Sequence, residues 1–463
     1  MTQNKIINVK NNWKFIFYFS FLLFLVQPIG AQVKNHIYKD VHSNREDSTL
    51  LTMVQRQTFN YFYEGAEPNS GMARERINMD GIYPQNDRDV VTTGGSGFGI
   101  MTLLLGEKRG FISKRQLYFR LRKIVSFLEN ADTYHGAFSH WYNGKTGKTK
   151  PFGTKDNGGD LVETSFLFQG LLCARQYLAA GNTKEKALAK RINTLWINID
   201  YHWYTHQQKV IYWHWSPQYQ WQMNFPIHGF NECLITYILG ASSPTHSIDK
   251  EVYDNGWAMN GKIKKSSSYD GIPLQFFHQG DLPNGGPLFW SQYSFLGLDP
   301  FGLKDKYGNY GQECVNMTRI NYQWCVDNPK HFVGYGEDSW GLTASYSVDG
   351  YAAHAPNLKS DLGVISPTAA LSSFPYTPRK SLAALKYFYY KLGGKLWGKY
   401  GFYDAFSETA NWFPQKYLAI DQGTIAVMIE NYRSGYLWDL FMSCLEVKNG
   451  LTKLGISYQI PEE

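Results

Sequence analysis

Helical periodicity recurs in pairs along this chain, and long loops separate the pairs. Ser113 stands in an N-cap position before Leu117, Leu121, Ile124, Val125 and Leu128, which fall at i, i+4, i+7, i+8 and i+11 and so form one apolar stripe. Asn182 and Glu185 have capping-box spacing ahead of Leu188, Ile192, Leu195, Trp196 and Ile199, which repeat the same spacing. Further helices are expected at about 48–64, 96–106, 161–180, 229–240, 310–327, 379–392 and 420–445, the last breaking near Ser434-Gly435. Between them run loops rich in Gly, Pro, Asn and aromatic residues, at 65–92, 131–159, 207–228, 241–287, 328–365 and 393–419. Loops this long in a compact protein usually carry function. Strand-like stretches are short and read as hairpins inside the loops, for example around Lys209 to Trp215. A ring of helical hairpins with elaborated loops on one rim fits this alternation better than a parallel sheet. The expected class is therefore all-α, with one domain over 32–463 after a leader at 1–31.

The leader reads as a secretory signal peptide. Lys5, Lys10 and Lys14 give a positive start, Phe15 to Val26 is an almost uninterrupted apolar run, and the small residues Gly30 and Ala31 follow. The run is too short for a comfortable membrane span, and no Cys stands there to accept a lipid. The mature protein is expected to begin near Gln32 and to be released into the periplasm or the medium without membrane insertion; the alternative is an uncleaved anchor. The net charge of +7 falls to about +4 without the three leader lysines, and the remaining basic residues are interspersed with acids, which excludes nucleic acid as a partner.

Five Cys are too few, and odd in number, for a disulfide framework. Cys173, Cys233 and Cys444 lie in apolar helical contexts and read as buried thiols, whereas a pairing of Cys314 with Cys325 stays open. Neither a CxxC pair nor an HExxH motif occurs, and no histidine has metal-ligand spacing, so neither a metal nor an organic cofactor is expected.

Aromatic residues make up 16% of the chain, with 14 Trp and 33 Tyr, and many stand in polar company. A pyranose shows C–H groups on its faces and hydroxyls at its edge, so a sugar cleft needs flat apolar surfaces with polar rims. The same residues also fill cores, and that is the reading for most of them. His140, Trp141, Trp215, Trp340 and Trp412 are the candidates for contact with a carbohydrate.

Acidic residues at helix starts supply the candidates for chemistry. The run Gly94 to Gly99 does not match a dinucleotide fingerprint and follows no hydrophobic strand, so it reads as a tight approach of loop and helix start. In Lys155-Asp156-Asn157-Gly158-Gly159-Asp160-Leu161-Val162-Glu163-Thr164, three carboxylates crowd a Gly-containing turn that opens an apolar helix. Asp160 and Glu163 have capping-box spacing, but Asp156 is not needed for a cap, and three such acids raise one another's pKa unless cations or hydroxyls satisfy them. Glu232 stands at the start of a helix that is apolar nearly all round, where burial favours the protonated form and the helix terminus favours the anion. Asp421 occupies a similar position before Ile425 to Ile429 and can also be read as an N-cap. Two isolated acids of this kind are what glycoside hydrolysis by two carboxylates requires. Glu337, Asp338, Asp349, Asp404 and Glu408, in polar loops, read as solvated or turn residues.

These segments, in order, resemble a known family. Thr58 to Phe62, Gly94 to Gly99, Asp156 to Thr164, Gly229 to Glu232, Ala241 to His246, Tyr293 to Pro300, Trp340 to Ser345, and Asp421-Gln422-Gly423 through Arg433 are similar to the glycoamylase-like proteins of Bacteroidetes, grouped as glycoside hydrolase family 144. The resemblance spans nearly all of the mature chain. It implies an (α/α)6 barrel and hydrolysis of β-1,2-glucan, either internally to sophorooligosaccharides or by release of sophorose from an end. It also implies an acidic cleft to which Asp156, Asp160, Glu163, Glu232 and Asp421 correspond. Tyr346 departs from the acidic residue expected after Thr343-Ala344-Ser345, which bears on subsite preference rather than on chemistry.

The leading expectation is an inverting glycosidase acting as a monomer on an oligo- or polysaccharide. Glu232 would be general acid and Asp421 base, or the reverse, while the acids at 156–163 orient the sugar. A polysaccharide lyase on a similar toroid would need an acidic sugar and a basic cleft, and a non-catalytic glycan-binding protein would explain the aromatics but not the acids.

Overall fold

A computed structural model of the protein describes residues 45–459, so the expected signal peptide at 1–31 lies outside the described residues. The chain is organised as six successive hairpins, each running from an outer segment to an inner one. α1 (Arg45–Tyr63) leads to α2 (Thr93–Lys108), α3 (Lys114–Leu128) to α4 (Leu161–Ala179), and α5 (Thr183–Ile197) to α6 (Leu234–Ser242). α7 (Lys250–Val252), continued by a π turn at Tyr253–Trp257, leads to two 3-10 turns at Leu288–Ser291 and Tyr293–Phe295. α8 (Tyr310–Asp327) leads to α9 (Pro367–Leu371), and α10 (Pro378–Lys386) to α11 (Ala419–Ser434). Inner segments touch in order, α2 with α4, α4 with α6, α6 with the turn at Tyr293, and α9 with α11, while α11 closes on α2. The remaining joint is a hydrogen bond from Gln292 Nε2 to the Ala369 carbonyl, 3.1 Å. The ring is thus an (α/α)6 barrel. Two further helices, α12 (Tyr436–Met442) and α13 (Leu445–Leu454), pack against α4 and α6 respectively.

The two layers differ in the way their sequences demand. α3 buries Leu117, Leu121, Ile124, Val125 and Leu128 and leaves its other face to solvent, and Ser113 and Gln116 cap it reciprocally. α5 keeps the Asn182/Glu185 capping box and buries Leu188, Ile192 and Trp196. By contrast α2 is buried without interruption from Thr93 to Gly106, and α4 from Leu161 to Arg175, because neighbours surround an inner helix on every side. The glycines of Gly94 to Gly99 serve this packing within helix α2 rather than any nucleotide.

Several expectations need correction. The helix expected at 229–240 begins only at Leu234; Gly229 has φ of 71°, and Phe230 makes an isolated bridge to His278, so the chain is still in a loop at Glu232. Inner elements at 288–295 and 367–371 are too short to show periodicity, and the sequence reading passed over them. The stretch 209–215 does not pair with itself: His214–Trp215 pairs with Gly159–Asp160. All five cysteines are buried free thiols, so Cys314 and Cys325 are not joined.

Short strands sit just before the inner helices and tie their loops together. Val90–Thr92, before α2, pairs with Trp141–Asn143; Gly159–Asp160, before α4, pairs with His214–Trp215; and Lys416–Leu418, before α11, pairs with Arg76–Asn78. The loops on the rim at the N-terminal ends of these inner helices are therefore joined to one another by backbone hydrogen bonds.

Candidate active site

Every acid singled out in the sequence sits at this rim. Asp160 is the N-cap of α4, Glu163 lies in its first turn, Glu232 precedes α6 by two residues, and Asp421 lies in the first turn of α11. Because the hairpins all run outer to inner, these inner helices start at the same end and converge with their positive dipole ends and unsatisfied N–H groups.

On one side of the cleft, His140 gathers three carboxylates. Its Nδ1 is 3.1 Å from Asp156 Oδ2 and 3.3 Å from Asp160 Oδ2, and its Nε2 is 3.9 Å from Glu163 Oε1. Burial works against the imidazolium, but Glu163, Asp156 and Asp160 together hold the His140 pKa well above its ordinary value. Asp160 is fully committed, its Oδ1 accepting from the Glu163 backbone at 2.8 Å and its Oδ2 from Trp213 Nε1 at 3.0 Å. The cap expected at 160–163 is real, but the box is not reciprocal: Glu163 Oε2 instead accepts the Gly94 N–H of α2 at 2.8 Å. Burial pushes Glu163 up to about 7, with His140 pulling it down and Asp160 adding to the rise. His140, Asp156 and Asp160 also form a group, found among the described residues, whose ligand atoms are close enough to hold a metal ion.

Glu232 is nearly buried, and its Oε2 has no hydrogen-bond partner. Burial raises its pKa to about 8; its own backbone N–H lowers it, and the charges of Glu163 and Asp160 raise it again. Of the two opposing effects read from the sequence, desolvation wins over the helix terminus, and Glu232 is a protonated acid at neutral pH.

At the start of α11, Asp421 is not an N-cap, since that position belongs to Leu418. Its Oδ1 accepts from the Tyr293 hydroxyl at 3.4 Å, and its carboxyl hydrogen-bonds the carboxyl of Asp404. Asp404 Oδ2 accepts the Tyr346 N–H at 2.9 Å. Asp404 Oδ1 and Asp421 Oδ2 have no other hydrogen-bond partner, and two buried carboxyls so close cannot both ionise, so one proton held between them would satisfy both oxygens. Burial, then the Asp404 charge, holds Asp421 well above the ordinary carboxylate range, and burial raises Asp404 to about 6. Glu75 adds negative charge to both, and is itself raised by burial against the pull of Arg76 and His140. Burial raises the Tyr293 hydroxyl's pKa well above its ordinary value, and the charges of Asp421, Asp404 and Glu232 add to the rise, so it feels both acidic groups.

Asp404 and Glu75 are the acids that the sequence reading missed. Asp404 reads from the sequence as a solvated loop residue, yet it is buried; its neighbours Phe402, Tyr403, Ala405 and Phe406 are the signal of an apolar setting. Glu75, flanked by Arg74 and Arg76, looks like any surface charge and carried no such signal.

The aromatic candidates divide. Trp141 is buried beside His140, with the Arg76 guanidinium 5.5 Å above its ring. Trp215 turns away from the acids and packs with Tyr134, His135 and Trp203, so it does not line the acid cluster. Trp340 is wholly buried between α8 and α10, edge-on to Tyr322 and donating to the Lys380 carbonyl, and is a core residue. Trp412 is half-buried in a turn closed by backbone bonds with Ser407, outside the hydrogen-bond network of the acids among the described residues. Tyr346, noted as a departure, accepts from Arg76 Nη1 at 2.8 Å and packs under the Lys416 ammonium at 5.0 Å.

A family model named Glycoamylase, described as "Putative glucoamylase", matches residues 224–445, a span that includes Glu232, Asp404 and Asp421. The chain is 62% identical to a solved endo-β-1,2-glucanase from Chitinophaga pinensis, in complex with sophorotriose and glucose. The match covers 89% of this chain and 98% of that one, with a TM-score of 0.88. It is 46% identical over 424 residues to an exo β-1,2-glucooligosaccharide sophorohydrolase (non-reducing end) from Parabacteroides distasonis. That match covers 88% of this chain but only 58% of the longer relative. The endo-β-1,2-glucanase of Talaromyces funiculosus, solved with sophorose, shares the fold at a TM-score of 0.63 and 11% identity, over 89% of this chain and 88% of that one.

Proposed function

Because this chain belongs to the glucoamylase-like family of bacterial β-1,2-glucanases, glycoside hydrolase family 144, we propose that it is a glycoside hydrolase cleaving β-1,2-glucan. The observation that carries the chemistry is the presence at one rim of a buried acid held protonated, Glu232, and a coupled pair of buried carboxyls, Asp404 and Asp421, whose charges all act on Tyr293. Glu232 donates its proton to the departing glycosidic oxygen. Asp421 takes a proton from the attacking water, and Asp404 accepts the proton that the pair already holds, so the base does not have to become a neutral acid alone. We read the reaction as inverting, which requires acid and base to act from opposite faces of the sugar with room for the water between them. His140, Asp156 and Glu163 bind and orient the sugar, while Asp160, fully buried and engaged by Glu163, Trp213 and His140, positions them rather than touching the sugar as the sequence suggested. A cleft lined by seven acids repels the acidic sugar that a lyase needs, and a mere binding site has no use for a carboxyl held protonated.

Internal cleavage is the favoured mode, because the endo-acting relative is matched over nearly its whole length and at the higher identity. Export belongs to the same proposal: residues 1–31 are removed and a monomer acts in the periplasm or outside the cell, supported by the order of charged, apolar and small residues in the leader. Mass spectrometry of the exported protein should find a chain beginning near Gln32; an intact leader would contradict it.

The deciding experiment is incubation with a panel of linear glucans. β-1,2-glucan should yield sophorooligosaccharides, with inverted anomers by NMR at early times. The description of the matching family model favours a second reading, hydrolysis of an α-1,4-glucan. Glucose release from starch with β-1,2-glucan untouched would establish that reading and overturn this one.

A further inference from the structure

Beside the acid cluster, one large apolar side chain is left in the open. Phe152 is 51% exposed, and its ring lies parallel to the His140 imidazole, centroids 4.0 Å and planes 3° apart. Trp141 meets the same ring edge-on at 4.9 Å. One face of Phe152 is thus occupied by the imidazole that holds Asp156, Asp160 and Glu163 together, and the other faces outward. An isolated exposed phenylalanine is ordinary on a protein surface. Here, however, the ring is fixed. The Phe152 N–H donates to the Asp156 carbonyl at 3.0 Å and the Asp156 N–H to the Gly153 carbonyl at 3.1 Å, so the ring and a cleft carboxylate share one closed turn. Asn157 anchors that turn to the facing loop, donating from Nδ2 to Gln218 Oε1 at 3.0 Å and accepting from the Ser216 hydroxyl. The imidazolium beneath the ring adds a cation–π attraction that keeps the ring flat on it.

We propose that the outer face of Phe152 is a sugar-stacking subsite, which takes the C–H face of a neutral pyranose of the glucan chain at the edge of the acid cluster. The subsite rests on the reading of the protein as a glucan hydrolase, but not on the linkage. The flat, uncharged face suits a neutral hexose, and the carboxylates beneath it suit the hydroxyls at the sugar's edge. Phe152 also shields His140 from water, so a structural role must be told apart from a binding role.

The test compares Phe152→Ala, Phe152→Trp and Phe152→Leu by kcat and KM on polymeric β-1,2-glucan. Loss of one stacking contact should raise KM by about tenfold in the alanine variant, with kcat little changed. Tryptophan, which keeps a π face, should restore KM, and leucine, which keeps only apolar bulk, should not. An unchanged KM in the alanine variant, or full restoration by leucine, overturns the proposal. So does a fall in kcat at constant KM, which would mean that the ring serves only His140. Affinity electrophoresis of the wild type and Phe152→Ala in gels cast with each glucan of the panel gives a readout independent of turnover. If another glucan retards the wild type and β-1,2-glucan does not, the linkage assignment falls while the subsite is still judged by the alanine variant's mobility in that gel. Equal retardation of both proteins, or retardation of neither in any gel, overturns the subsite.

Discussion

Gly97 and Gly170 meet where α2 crosses α4: a Cβ on Gly170 would stand 2.1 Å from the Gly97 carbonyl oxygen, and one on Gly97 would stand 2.2 Å from the Phe166 carbonyl oxygen. Both obstacles are backbone atoms, so no side chain can swing aside. The same crossing brings the N–H of Gly94 to Glu163, which makes the closeness of two helices a condition for the geometry of the cleft. Gly170→Ala should therefore force the helices apart and cost about 1–3 kcal/mol, in the range of core overpacking. Urea unfolding checks this, and an alanine variant as stable as wild type would mean that the crossing yields easily.

Glu232→Gln and Asp421→Asn should each lower kcat at least about 100-fold on β-1,2-glucan, since one positioned proton transfer is typically worth 10² to 10⁴. Both substitutions are nearly isosteric, and neither carboxyl caps a helix, so circular dichroism and the thermal midpoint should stay near those of the wild type. Near-normal turnover in either variant would remove that residue from the proton transfers.

Exhaustive chelation should leave turnover unchanged. His140, Asp156 and Asp160 have the spacing of a metal site, but the imidazolium already supplies the positive charge that these carboxylates need. Loss of activity on chelation, restored by one divalent ion, would reassign that triad as a metal centre.

What the sequence disclosed follows from where its signals are strongest. The outer helices α3 and α5 are legible from their caps and stripes, because one face meets solvent and the 3.6-residue period is written in Leu117 to Leu128 and Leu188 to Trp196, although Leu195 is only half-buried and Ile199 lies past the end of α5. Inner segments lie between neighbours on all sides and lose that period, so α6 was placed five residues early and the inner turns at 288–295 and α9 were passed over. Asp160, Glu163, Glu232 and Asp421 were legible because an acid at the mouth of an apolar helix is conspicuous. Trp215 and Trp340 show the limit of composition: an aromatic suited to sugar is equally suited to a core, and only packing decides.

Asp404 leads to the most specific expectation, a bell-shaped pH dependence of kcat/KM. Glu232, at about 8, must be protonated to act, so its donor form is lost as pH rises through that value and sets the alkaline limb. The Asp404–Asp421 pair must carry a negative charge to act as base. Its more acidic step lies at about 6, so the base is lost as pH falls through that value and sets the acid limb. Asp404→Asn deletes one charge from the pair and leaves Asp421 facing Tyr293, the more distant Glu75 and a neutral amide. With the like-charge repulsion gone, Asp421 ionises by itself more easily than it does beside Asp404, while burial still holds it above a free carboxyl. The fate of the proton decides the sign. In the wild type the working state is the pair with one proton, whereas in the variant it is Asp421 with none, and that state is reached only above the single residue's own pKa. Because no partner carboxyl then shares the proton and burial, the largest cause of the rise in both residues, still disfavours the anion, the acid limb should move to higher pH. The alkaline limb, set by Glu232, whose pKa is shifted by burial and by Glu163 and Asp160 rather than by this pair, should stay in place. The pH optimum should narrow from its acid side, and turnover at the optimum should fall. An acid limb that does not move, or an alkaline limb that moves with it, would show that the shared proton is not part of the base.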